Sequence, residues 1–247
     1  MTDSQPVQRI RHLAVVIPAC NEELTMQCCL DSVDAARCEL PKAVSTSVVV
    51  AADSCTDRTE STALNTLSRR RDDQVLRLSV RSAGAARRIA TNAALDRLDL
   101  PLEEVWIAST DADTTVDFDW LTIQLRLARA GAVGVSGIVD LSGHGSIDAS
   151  LRRSFEYSYV TSIDGTHPHV HGANLGFRAD AYRAVGGWNA ILTGEDHDLW
   201  NRLQRHGPIV STTELCVHTS PRTTGRAPDG FARDLRLLTA TADATVA

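Results

Sequence analysis

Leu13-Ala14-Val15-Val16-Ile17-Pro18-Ala19-Cys20-Asn21-Glu22 carries the first reading. Five apolar residues run in succession, three of them β-branched, with no polar alternation. Such a run reads as a strand buried on both faces, closed here by Pro18. Residues 22–36 then take the spacing of an amphipathic helix. The alternation continues outward from there. Ser47-Val48-Val49-Val50-Ala51 reads as a second strand, and residues 57–70 as a helix with Thr56 or Asp57 as cap. Residues 75–80 read as a short strand, residues 83–98 as an Ala-rich helix, and Val105-Trp106-Ile107-Ala108 as a further strand. A helix over 118–130 and a strand over 133–141 follow. Strands and helices alternating at this spacing predict an α/β fold with a Rossmann-like, mainly parallel sheet and helices on both faces. Right-handed crossovers put all strand-to-helix loops on one edge, where open α/β sheets bind ligands. Asn21 with Glu22, Asp53, Arg81 with Arg87, and Asp111 with Asp113 then converge on one crevice.

The second half is less regular. Residues 147–159 and 195–206 have helical patterns, and Gly186-Gly187-Trp188 marks a turn. The chain is expected to have a flexible N-terminus over 1–12, one domain over 13–230 and a C-terminal helix or tail over 231–247. Its 247 residues suit one large α/β domain. A net charge of −6 with no basic run argues against a nucleic-acid partner. Six cysteines without a CxxC pair read as reduced thiols of a cytoplasmic protein rather than zinc ligands or a disulfide framework. Residues 1–12 lack the apolar core of a signal peptide, and no apolar run is long enough to span a bilayer, which leaves peripheral membrane contact open.

Asp111-Ala112-Asp113 directly follows an apolar strand. Carboxylates at i and i+2 in an extended segment point the same way. Mg²⁺ and Mn²⁺ favour one or two carboxylates plus phosphate oxygens. Taken alone, the same triplet also reads as a helix cap.

The neighbouring motifs separate these readings. Val15-Val16-Ile17-Pro18-Ala19-Cys20-Asn21-Glu22 resembles the opening strand and loop of the family 2 glycosyltransferases, which have the GT-A fold. Ala51-Ala52-Asp53-Ser54-Cys55-Thr56-Asp57-Arg58-Thr59 resembles their second-strand motif, and Ala83-Gly84-Ala85-Ala86-Arg87-Arg88 the start of their third helix. Asp111-Ala112-Asp113 stands where their metal motif stands, and His171-Gly172-Ala173-Asn174-Leu175-Gly176-Phe177-Arg178 is similar to the strand lining the donor sugar. Gly186-Gly187-Trp188 and Gly194-Glu195-Asp196 follow in the same order, so the resemblance covers roughly residues 13–220.

The resemblance implies a metal-dependent transfer of one sugar from a nucleotide-diphosphate sugar, UDP-linked first and GDP-linked next, to the hydroxyl of an unidentified acceptor. Pro18, Asn21, Glu22, Asp53, Arg87, Asp111 and Asn174 then hold the donor, with Asp53 reading the base. Asp111 and Asp113 take Mn²⁺ or Mg²⁺, with His218 as a third ligand. Asp196 is the base that deprotonates the acceptor, with inversion at the sugar. Trp188, Glu195, Arg222 and Arg226 fall to the acceptor or the phosphates. Cys20 and Ala52 depart from the aromatic residue and aspartate frequent in relatives. No Gln-x-x-Arg-Trp motif of the processive synthases is present, and neither is the Gly-rich first loop that nucleotidyl transfer or dinucleotide binding requires. A nucleotide-sugar-binding protein without catalysis is the alternative from a different class.

Overall fold

The structure is a computed structural model that describes residues 8–142, 149–159, 161–191 and 193–222. Among the described residues, eight strands form one sheet: β1 (His12–Ala19), β2 (Ser45–Asp53), β3 (Gln74–Leu78), β4 (Val105–Ser109), β5 (Thr114–Val116), β6 (Gly134–Asp140), β7 (Leu175–Arg178) and β8 (Ile209–Thr219). Their order is β3-β2-β1-β4-β7-β6-β8-β5. The first four, β3-β2-β1-β4, are parallel throughout. Beyond β4 the sheet is mixed: β7 runs antiparallel to β4 and β6, β8 is parallel to β6, and β5 is antiparallel to β8.

Among the described residues, seven α-helices cover the sheet: α1 (Met26–Cys38), α2 (Thr59–Leu67), α3 (Ala83–Leu95), α4 (Trp120–Arg129), α5 (Ala149–Ser158), α6 (Ala179–Ala184) and α7 (Glu195–His206). The unbroken apolar run of β1 has a direct physical cause, because both of its faces are buried. Leu13, Val15 and Ile17 face a core shared with Met26, Leu30, Val33, Trp120 and Leu121. Ala14 and Val16 face a second core with Ala86, Ala90, Phe177, Trp188 and Leu203. Thus α1, α2 and α4 cover one face, and α3, α6 and α7 the other.

Several boundaries differ from expectation; α2 and α3, for example, end at Leu67 and Leu95, before the expected residues 70 and 98. Pro18 does not close β1, which pairs with β2 through Ala19. The helix expected from residue 22 begins at Met26, because Thr25 and Met26 donate their backbone N–H to the Glu22 carbonyl in a turn at the strand end. Residues 8–12 are tied to the rest of the domain. Gln8 donates its backbone N–H to Arg129 O and Arg11 to Glu104 O, Ile10 is buried, and His12 already belongs to β1. Residues 1–7 and 223–247, and with them Arg226 and the expected tail, lie outside the described residues. Among the described residues, no helix is long and apolar enough to cross a membrane.

Candidate active site

The carboxyl ends of β1, β2 and β3 share an unusual backbone feature. Asn21, Ser54 and Arg81, each just beyond one of these strands, have φ of 55°, 56° and 52°. Left-handed non-glycine residues are costly and cluster at functional sites. Side-chain bonds lock these loops together. Asn21 Oδ1 accepts from Thr56 N at 2.7 Å, Thr59 Oγ1 from Glu22 N at 2.6 Å, and Asp57 Oδ2 from Glu23 N at 3.1 Å. Asn21 is therefore a loop fastener whose side-chain oxygen is committed to Thr56.

Asp53 ends β2 and is buried. Its Oδ1 accepts from Val80 N at 2.8 Å and from Ser54 Oγ at 3.1 Å, and its Oδ2 accepts from Ser82 N at 3.1 Å. Asp53 thus pins the loop between β3 and α3, the loop that delivers Arg87.

Arg87 is the hub of the site. Ala86, Arg87, Ala90, Thr91 and Ala94 form the buried stripe of α3, so Arg87 points inward. Its Nη2 donates to Asp111 Oδ1 and its Nη1 to Glu195 Oε1, both at 2.5 Å. The guanidinium lies 5.5 Å from the centre of the Trp188 ring. Arg87 as a whole is only 4% exposed. Gly172 is a steric requirement of the same spot: a Cβ there would come within 2.5 Å of Arg87 Nη2. Burial raises the Glu195 carboxyl above its ordinary value, and the guanidinium pulls against it.

Asp113 lies deeper than Asp111, with side-chain exposures of 10% and 34%. Its partner is Arg222, whose Nη2 is 2.9 Å from Asp113 Oδ2 and 2.7 Å from Glu22 Oε1. Arg222 Nη1 donates to Glu22 Oε2 at 2.8 Å. Burial pushes the Asp113 carboxyl up to about 7, against the opposing pull of Arg222 and helped by Asp111 and Glu22. The site thus gathers four carboxylates, Glu22, Asp111, Asp113 and Glu195, around two guanidinium groups.

Asp196, in the first turn of α7, is half-buried. Its Oδ2 accepts from Gly172 N at 3.0 Å and its Oδ1 from His197 N at 2.8 Å. The same segment contacts the end of β4, where Ser109 Oγ donates to Gly172 O at 2.8 Å. The acidic pair after β4 and the carboxylates of α7 therefore meet across residues 171–172 and Arg87.

Three expected residues are placed elsewhere. Asn174 is fully buried: Trp120 Nε1 donates to its Oδ1 at 2.9 Å, and its Nδ2 donates to Ile138 O and Leu215 O at 2.8 and 2.9 Å. That side chain joins α4, β6 and β8. Trp188 is also fully buried, edge-on to Phe177 with ring centres 5.7 Å apart, and lies beneath Arg87. His218 is engaged by Ser142 Oγ at 2.8 Å and Asp117 Oδ1 at 3.2 Å. The side chain that reaches Asp113 is Arg222 in place of His218. Among the described residues no group of three or more His, Cys, Asp or Glu is arranged to hold a metal. Asp111 and Asp113 fit a hard divalent cation only if ligand oxygens complete its shell, and the guanidinium on Asp113 already stands in for positive charge there.

Tyr159 and His171, to which the motifs give no individual role, adjoin the site beside Gly172 and Asp196. Tyr159 Oη accepts from Val139 N at 3.0 Å and lies 2.9 Å from His171 Nε2. Tyr159, His169 and His171 stack almost parallel, with interplanar angles of 11–13°. Burial lowers His171 to about 4, opposed by nearby Asp196, so its ring is neutral at physiological pH. The signal was present in His167-Pro168-His169-Val170-His171, whose alternate histidines share one face of an extended segment.

A family model described as glycosyl transferase family 2 matches residues 14–186. No curated protein matches the chain. Among solved structures, the mannosyltransferase PcManGT from Pyrobaculum calidifontis, in complex with GDP-Man and Mn²⁺, gives a TM-score of 0.63 at 18% identity, covering 96% of this chain and 64% of that one. S. aureus TarS 1–349 gives 0.59 at 16% identity, covering 85% and 61%. The same TarS fragment in complex with UDP-GlcNAc gives 0.60 at 14% identity, covering 92% and 65%. The chain therefore spans less than two thirds of each of these structures. What it shares with them is the GT-A fold expected from its sequence.

Proposed function

Because the chain belongs to glycosyl transferase family 2, we propose that it moves one sugar from a nucleoside diphosphate sugar to an acceptor hydroxyl, with inversion at the anomeric carbon. The observation that carries this reading is the joint made by Arg87. It ties Asp111 of the acidic pair to Glu195, the immediate neighbour of Asp196. A donor-side acidic pair and an acceptor-side carboxylate are thereby held in one rigid unit.

The donor's base and ribose lie along the loops after β1 and β2, near Pro18 and Asn21. Asp111 and Asp113 would hold Mn²⁺ or Mg²⁺, which would supply charge neutralisation for the departing diphosphate. Each oxygen of Asp196 already accepts one backbone N–H, and both retain lone-pair capacity. Asp196 takes the acceptor proton as the acceptor oxygen bonds to the anomeric carbon. The bond from that carbon to the diphosphate oxygen breaks, and the nucleoside diphosphate leaves with the bonding electrons. GDP-Man and UDP-GlcNAc are the ligands in the two similar folds, so UDP- and GDP-linked sugars are the donors to test first. Six free cysteines support a reducing, cytoplasmic setting.

Calorimetric titration of UDP and GDP, with and without Mn²⁺, tests the donor half. One diphosphate should bind in a metal-dependent manner, and Asp113→Ala should abolish that binding. For the acceptor half, Asp196→Asn should keep nucleotide affinity and lose roughly 10²–10⁴-fold in turnover. Unchanged turnover in Asp196→Asn would remove it as the base. Absence of binding by both nucleotides in the wild type would leave the non-catalytic alternative or another donor.

A further inference from the structure

Arg222 occupies the position from which the acidic site receives its positive charge. It contacts Glu22 through both terminal nitrogens, at 2.8 and 2.7 Å, and Asp113 through one of them, at 2.9 Å. Both acids are nearly buried, with side-chain exposures of 9% and 10%. They come from the ends of different strands, β1 and β4, so Arg222 relieves a repulsion that folding imposes. Arg87 meanwhile holds one oxygen of Asp111. Each aspartate of the proposed metal pair therefore carries a guanidinium already. A bare divalent ion would have to remove Arg222 from Asp113 and leave a largely covered guanidinium with fewer anionic partners. An ion arriving on a diphosphate brings anionic oxygens, and a planar guanidinium pairs with phosphate in two-point fashion.

We propose that Arg222 is the resident counter-ion of the metal-free site, and that it makes the site select a metal–diphosphate complex over the bare ion. Arg222 exchanges Asp113 for phosphate oxygens only when both ligands are present. This specificity role rests on the donor-site reading above and adds to it the residue that couples the two binding events.

The test uses the full chain and Mn²⁺ alone as probe, followed by calorimetry or by the loss of free Mn²⁺ paramagnetic signal. Arg222→Gln is expected to bind bare Mn²⁺ about tenfold more tightly than wild type, with Arg222→Lys in between. The same Arg222→Gln protein should bind the Mn²⁺-dependent nucleotide, UDP or GDP, about tenfold more weakly. A merely structural arginine would weaken both, so the opposite signs are diagnostic. Arg222→Gln that binds bare Mn²⁺ no more tightly than wild type overturns the proposal, as does unchanged nucleotide affinity. If Arg222→Gln does not fold, the melting temperature of Arg222→Lys decides. A larger Mn²⁺-induced rise than in wild type supports the exchange, and an equal or smaller one overturns it. Wild type that binds neither nucleotide fails the donor-site reading itself, and this inference with it. Wild type that binds nucleotide, beside an Arg222→Gln without gain for the bare ion, fails this inference alone.

Discussion

Arg87 shows how one side chain can serve stability and function at once. It is buried with a carboxylate on each side and an indole beneath. Removing one partner of a buried charge network leaves the rest uncompensated. Arg87→Met is expected to cost about 3 kcal/mol, at the low end for such sites because Asp111 is a third exposed. Urea unfolding measures this, and a loss below about 1 kcal/mol would mean that the two acids find other partners. His12 gives a prediction of a different kind. It is buried between Ser45 Oγ at 2.7 Å and Ser47 Oγ at 2.9 Å, and burial lowers it to about 4. The folded chain keeps His12 neutral down to that pH, whereas the unfolded chain protonates it below about 6.5. Between these values the unfolded state binds more protons, so this contribution falls as pH falls. From about pH 7 to about pH 5 it is worth about 2 kcal/mol. His12→Gln should lose correspondingly less stability over that interval, and equal losses in both proteins would refute the assignment.

At the scale of elements, Asn174 and Gly137 join the mixed half of the sheet. A Cβ on Gly137 would lie 2.2 Å from Leu215 O and 2.3 Å from Asn174 Nδ2, contacts that no rotamer relieves. Gly137→Ala should therefore destabilise by about 1–3 kcal/mol through overpacking. Asn174→Ala strands the Trp120 Nε1–H and two backbone carbonyls, a comparable cost of about 1–3 kcal/mol for each group that water cannot reach. The two substitutions break one joint, so the double variant should lose less than the sum. Additive losses would show that the groups are energetically separate. Helix α7 matched its sequence limits because its start and stop are local: a left-handed Gly194, three acids in the first turn, basic residues in the last, and Gly207 beyond. Helix α1 did not, because the turn at 22–25 is held by residues of the next loop, which no local window contains.

At the scale of the whole molecule, the four parallel strands fix the crevice, and the mixed strands close it with α7 and the segment at 171–172. A ligand that spans the two parts should tie them together. Mn²⁺ with the preferred diphosphate at a hundred times its dissociation constant should add about 2.7 kcal/mol of stability by mass action. The melting temperature checks this directly. Asp113→Ala should show no rise, and a rise equal to wild type would place the ligand away from the acidic pair.

By itself the sequence determined the α/β alternation, the parallel half of the sheet and the edge where polar loops gather. These follow from periodicity and burial, which are properties of contiguous residues. Motif order, which survives in one dimension, also singled out Asp111, Asp113 and Asp196 as the residues to propose. Only the tertiary structure decided which polar groups face one another. Asn174 and Trp188 went inward, His218 went to Asp117, and Arg87 and Arg222 each joined acids more than twenty residues away. The physical reason is that a buried charge must find its counter-charge wherever the fold brings one. That choice is made by packing between distant segments, which spacing along the chain does not encode.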